Sequence, residues 1–174
     1  MKKGYTHIYT GNGKGKTTAA LGLAVRAAGS GFKTLFIHFM KNFDYSEIHG
    51  LFFLSQFIQM EQFGSDWFVV NRRPPTPEEI SSIKAGLKRT EEAFNSNHYD
   101  VIVMDEIFPA FYFGVVTAEE IISVMKKKPE NVELVLTGRY CPPEVMEHAD
   151  LITEMKEVKH YYMQGVLSRK GIDC

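Results

Sequence analysis

The sequence is short of several things that would direct it to particular classes. It has two cysteines, Cys141 and Cys174, far apart and outside any paired-cysteine motif, so neither a disulfide framework nor a zinc site is supported. It has no excess charge: 20 basic against 21 acidic residues give a formal net charge of -1. That balance provides no general attraction to nucleic acid or to an anionic membrane. No apolar run is long enough to span a bilayer. Met1-Lys2-Lys3 leads into a short strand and a glycine loop, not into a signal-peptide core. Repeats and low-complexity segments are also missing. What is left, 174 residues with 44% hydrophobic and 24% charged, is the composition of one globular domain with a sizeable core. The expectation is a single domain over 1–174, soluble and cytoplasmic, with neither nucleic acid nor membrane as partner.

What is present is punctuation at the first strand. Tyr5 to Thr10 reads as a buried strand, and Thr10 to Thr18 is TGNGKGKTT. Strand, glycines, Lys-Thr and helix arrive in the order of a Walker A phosphate loop. The common form has glycine where this chain has Thr10; here the glycines are Gly11, Gly13 and Gly15. Glycines permit backbone conformations that other residues resist and leave room for phosphate. Successive N–H groups, including that of Asn12, then form a nest, and the helix starting near Lys16 adds its positive end. Lys16 is expected to reach the distal phosphates and Thr17 to offer its hydroxyl to magnesium. Lys14 is an additional cation, and Thr18 a further hydrogen-bond donor.

Downstream, apolar runs alternate with helical patterns. Lys33–Phe39 and Tyr99–Met104 lack polar alternation, as strands covered on both faces do. Ile58–Phe63, Val132–Thr137 and Leu151–Met155 complete the set. Helices are expected over the small-residue run Ala19–Ala28, from Thr76 or Pro77 to Asn95, over Thr117–Lys127 with a Thr117/Glu120 capping box, and from Pro142-Pro143 to His148. Leu51–Phe57 is too apolar for a free loop and is expected to pack as a short helix. The crossover 40–50, the Pro-rich stretch 64–77 and the tail after Lys159 resist assignment. The alternation implies an α/β fold: a P-loop NTPase-like, RecA-like domain with one open, mostly parallel sheet flanked by helices. Sites in such folds lie at the carboxyl ends of strands, where Thr10, Asp105 and Gly138 all fall.

Asp105-Glu106 after VIVM is patterned as a Walker B acid pair, suited to holding magnesium; helix capping or surface exposure is the alternative. Arg139 follows strand and glycine, and two roles stand open for it: a phosphate clamp or a surface ion pair. The same two stand open for Lys41. There is no Asn-Lys-x-Asp guanine signature and no separate catalytic base. The residues by themselves therefore reach ATP with magnesium and stop there.

Taken together, TGNGKGKTTAALGLAVRAAGSG, VIVMDEI, ELVLTGRYCPPEVMEHADLITEM and VKHYYMQGVLSRKGID resemble the P-loop corrinoid adenosyltransferases over nearly the whole chain. The resemblance implies transfer of the 5′-deoxyadenosyl group of ATP to the cobalt(I) of a corrinoid, with release of tripolyphosphate. By the same resemblance, residues 10–18 hold the triphosphate, Lys14 and Lys16 offset its charge, and Thr17, Asp105 and Glu106 serve magnesium, or manganese in its place. Lys16 and Glu106 become the catalytic candidates. Arg139 and Lys41 become candidate ligand contacts. An aromatic segment that approaches the lower face of the ring corresponds here to Phe63-Gly64-Ser65-Asp66-Trp67-Phe68; Phe63, Trp67 and Phe68 are its candidate contacts, with aromatic packing as the alternative. Asn42 and Ser46 stand where relatives commonly carry glycine. Some relatives have a longer N-terminal arm, so closure of the site is expected from a partner subunit or from the tail. The resemblance also implies a homodimer and an external electron donor that reduces Co(II) to Co(I). A P-loop ATPase or kinase, and a binding module without turnover, remain the competing readings.

Overall fold

A computed structural model describes residues 2–41, 46–65 and 73–173. The strands are β1 (Thr6–Thr10), β2 (Thr34–Phe39), β3 (Ile58–Phe63), β4 (Val101–Asp105), β5 (Glu133–Thr137) and β6 (Leu151–Glu154). The helices are α1 (Lys16–Gly29), α2 (Ser46–Leu51), α3 (Pro77–Ser96), α4 (Ile107–Tyr112), α5 (Ala118–Lys126) and α6 (Pro143–Met146). The strands form one sheet in the order β3-β2-β4-β5-β1-β6, and every pairing is parallel.

The unbroken apolar runs of β2 and β4 are buried along their whole length, because helices cover both faces of the sheet. On one face Ala20, Ala24, Ala27 and Ala28 of α1 lie against Phe36, Val101, Val103 and Val135. Alanines at this spacing let the helix axis come close to the sheet, and that closeness puts the start of α1 directly behind β1. On the other face Leu35, Ile37 and Phe39 pack with Ile83 and Leu87 of α3 and with Phe108 of α4. The expected Thr117/Glu120 capping box is complete, and Thr76 with Glu79 forms a second one where only a helix start was expected.

Two local expectations change. The helix foreseen over Leu51–Phe57 starts earlier, at Ser46, and ends at Leu51 in a 3-10 turn over Phe52–Leu54. Leu51 is buried, while Phe52 and Phe53 are 73% and 85% exposed; the turn points them outward, so the run does not pack as a unit. Helix α4 was not foreseen, because Pro109 lies inside it. Proline is tolerated there because the residue falls in the first turn, where its missing N–H costs no intrahelical bond. Gly138 leaves room for α4: a Cβ at that position would lie 2.5 Å from Pro109 Cδ.

Candidate active site

The phosphate loop runs from the end of β1 to the start of α1. Thr10 is the buried last residue of β1, and its carbonyl accepts from Met155 N–H at 2.8 Å. Gly11 and Gly13 are required by the chain that leaves β6. A Cβ on Gly11 would meet Met155 O at 2.5 Å and one on Gly13 would meet it at 2.7 Å, while Gly13 N–H donates to that same oxygen at 2.6 Å. Gly11 and Gly15 also hold φ of 95° and 115°, a region that favours glycine. The loop glycines therefore serve packing against β6 as well as access to phosphate. Asn12 is exposed. Lys16 is buried, and its ammonium donates to Gly11 O at 2.8 Å and Gly13 O at 2.7 Å. Burial lowers its pKa, with Arg139 adding to the effect against the pull of Glu106 and Asp105.

Asp105 is the fully buried end of β4. Its Oδ2 accepts from Thr17 Oγ1 at 3.3 Å, His38 Nδ1 at 2.9 Å and Lys41 Nζ at 3.0 Å. Its Oδ1 accepts from Thr137 Oγ1 at 2.7 Å. Burial alone would raise its pKa; the Lys41 ammonium, His38 and Thr137 outweigh burial and hold the carboxyl well below the usual carboxylate range. Burial opposes Lys41's charge as well, but Asp105 and Glu106 raise its pKa overall. Lys41 pairs with Asp105 at 3.0 Å and also lines a cleft of the site. Glu106 goes the other way: burial first and the neighbouring Asp105 carboxylate second raise its pKa. Thr137 links the two acids, since its hydroxyl also accepts from Glu106 N–H at 3.0 Å.

The backbone here is strained. Among the described residues four non-glycine positions have positive φ, and three of them follow strands of the site: Met40 at 56°, Glu106 at 59° and Tyr140 at 65°. Each such position costs on the order of 1 kcal/mol and persists only where its surroundings enforce it.

Two clefts open on this constellation. The first, about 380 Å³, is lined by residues 13–18, Glu106 and Arg139 on one side and by His160, Tyr161 and Tyr162 on the other. The second, about 690 Å³, runs past Leu21, Lys41, Ser46 and Glu47. Thr17, Thr18, Glu106, Ser168, Ile172 and Asp173 border both. Thr10, Gly11 and Asn12 line neither, and Lys14 turns outward to the tail, where its ammonium meets Asp173, Tyr161 OH and Ile172 O. Phe63 ends β3 and packs, partly buried, against the core beside Gly86. Trp67 and Phe68 lie outside the described residues. Sequence reasoning missed His38, whose polar ring in an otherwise apolar strand was the available signal, and it missed Thr137 and the aromatic run at 160–162.

Fold and site define an α/β protein of the RecA-like type with a glycine loop at the carboxyl edge of a parallel sheet, where such folds place their ligands. A FlaH flagellar accessory protein from Methanocaldococcus jannaschii shares the fold, with a TM-score of 0.59 over 88% of this chain and 72% of that one at 13% identity. The sequence model of the family described as ATP:corrinoid adenosyltransferase BtuR/CobO/CobP matches residues 2–174. A corrinoid adenosyltransferase of Escherichia coli K12 is 30% identical over 178 residues, covering 99% of this chain and 86% of the relative. Corrinoid adenosyltransferase CobA of Salmonella typhimurium is 31% identical with the same coverage. The chain belongs to the ATP:corrinoid adenosyltransferase family. It is thus an enzyme that transfers an adenosyl group from ATP to a corrinoid. Among the described residues no helix is long and apolar enough to cross a membrane.

Proposed function

We propose that this activity is carried out where the two clefts meet, between Thr17, Thr18 and Glu106 on one side and the tail residues Ser168, Ile172 and Asp173 on the other. The observation that carries the reading is the shared border itself. A triphosphate on residues 13–18 fills the first cleft, the corrinoid enters by the second, and the ribose C5′ lies between them. The cobalt(I) electron pair forms the bond to C5′ while the C5′–O bond breaks, and that bond's electrons leave on the triphosphate. Cobalt ends as Co(III), and tripolyphosphate leaves whole. No protein nucleophile is required. The chain's task is to hold C5′ in line and to stabilise charge developing on the leaving group. Lys16 and Arg139 supply positive charge on the wall of the first cleft, and the loop N–H groups supply directed dipoles.

Magnesium, or manganese in its place, belongs to this proposal. A hydroxyl and a carboxylate 3.3 Å apart, Thr17 and Asp105, form a hard-oxygen pair suited to such an ion. When bound there, the ion would take its remaining ligands from phosphate oxygens and water, and it would neutralise part of the triphosphate charge. The electron donor for Co(II) and a homodimer rest on the family resemblance. So do Trp67 and Phe68 as corrinoid contacts.

The test is an anaerobic assay with ATP, magnesium and chemically reduced cob(I)alamin, followed by the spectrum of the new cobalt–carbon bond. Wild type should form it, and Lys16→Ala should lower kcat/KM by about a hundredfold or more, the scale of losing a charge-stabilising group. Unchanged transfer in that variant would remove Lys16 from the role.

A further inference from the structure

The segment that forms the far wall of the first cleft is held in place by very little. Its apolar side chains do not pack: Val158 is 90% exposed, Met163 81% and Leu167 72%. Its only regular element is a 3-10 turn over Tyr161–Gln164. A segment with so few buried contacts opens easily unless something else pins it.

A single carboxylate supplies the pin. Asp173 meets the Lys14 ammonium and the Tyr161 hydroxyl through Oδ1. Through Oδ2 it accepts from Arg169 N–H and Arg169 Nε, each at 3.1 Å. Arg169 lies 4.7 Å over the Tyr161 ring, and Lys14 also donates to Ile172 O at 2.7 Å. Lys14 belongs to the phosphate loop and the others to the tail, so the cluster ties the tail across the loop. Two cations and one anion leave one net positive charge beside the loop. The knot therefore does not repel a polyphosphate, although its centre is a carboxylate.

We infer that Asp173 is a positioning residue: by joining Lys14 to Tyr161 and Arg169 it straps residues 159–173 over the phosphate loop and thereby builds the wall of the ATP cleft. This rests on the reading that ATP occupies the first cleft. Ser168, Ile172 and Asp173 of the strap border the second cleft as well, so transfer is measured at saturating corrinoid; on the ATP side the strap holds the bound molecule in ground state and transition state alike. Its loss removes binding common to ground state and transition state, so it appears in KM for ATP and much less in kcat.

The experiment uses the full chain with Asp173→Asn and Asp173→Glu. Two readings are taken: steady-state transfer, and tryptic cleavage after Lys159 without nucleotide, followed by mass. For Asp173→Asn the KM for ATP should rise about tenfold with kcat within about threefold of wild type. Cleavage after Lys159 should be about tenfold faster. Asp173→Glu should recover most of both. The melting temperature should change by no more than about 2 °C, because the segment contributes little to the core. Wild-type cleavage and wild-type KM in Asp173→Asn would overturn the strap, as would a fall in kcat at unchanged KM. If no form of the protein transfers adenosyl, the functional reading fails, while the cleavage comparison still decides the strap.

Discussion

Replacing Thr137 by valine isolates the link between the two acids of the site. The side chain is fully buried at the end of β5, and valine has nearly its shape, so no cavity forms. What disappears is one hydroxyl with two duties. It donates to Asp105 Oδ1 at 2.7 Å and accepts from Glu106 N–H at 3.0 Å. A hydrogen bond to a charged acceptor contributes about 1.5–3 kcal/mol, and a buried N–H left without an acceptor costs about 1–3 kcal/mol. Part of each loss overlaps, because the surroundings relax, so about 3 kcal/mol is the expected total. For a domain of this size that lowers the melting temperature by about 6–12 °C. Thr137→Ser keeps the hydroxyl and loses only a methyl group, so it should lie much nearer to wild type. The assay is thermal unfolding of all three proteins at neutral pH without ligand. If Thr137→Val melts within about 1 °C of wild type, Thr137 does not hold the acid pair and the bonding scheme around Asp105 is wrong.

The other expectations are shorter. Gly11→Ala should destabilise by about 2 kcal/mol or more, since a Cβ there meets Met155 O at 2.5 Å and φ is 95°; Gly22→Ala, at a position with open space, is the control in the same urea titration. Glu106→Gln should raise the melting temperature of the ligand-free protein near neutral pH while lowering transfer. Burial and the Asp105 carboxylate raise Glu106's folded pKa, so its contribution is full below the unfolded value near 4.5 and is lost as pH rises through the folded value. The gain from Glu106→Gln should accordingly shrink at mildly acidic pH, and a gain that did not vary with pH would count against this. Asp105 runs in the opposite sense: its depressed pKa gives stability that is present above the unfolded value and lost only in strong acid. Asp105→Asn should therefore destabilise most at neutral pH, as melts across pH would record.

How far the sequence reached depends on what kind of information each feature carries. The glycine loop between β1 and α1, the strand ending at Asp105 and the Thr117/Glu120 capping box are local patterns whose spacing reflects local geometry, and they fall where the sequence places them. The roles of Lys14 and Lys41 were not local. Lys14 is next to the loop in sequence, yet its partner Asp173 is 159 residues away. Lys41 reaches Asp105 across 64 residues because β2 and β4 are neighbours in the sheet, a fact set by topology. Helix α4 was hidden by Pro109, which signals a break in isolation and is harmless in a first turn. Gly11 and Gly13 were recognised as a phosphate loop, but their second reason, the backbone of Met155, depends on β6 lying beside β1.

The triphosphate is expected to leave whole, because the chain aligns the ribose C5′ and not the γ-phosphate. The direct measurement is the identity of the phosphate product, by phosphorus NMR, after one anaerobic turnover with ATP, magnesium and cob(I)alamin. Tripolyphosphate in a one-to-one ratio with the adenosylated corrinoid is the expected result. ADP with inorganic phosphate, and no cobalt–carbon bond, would contradict it.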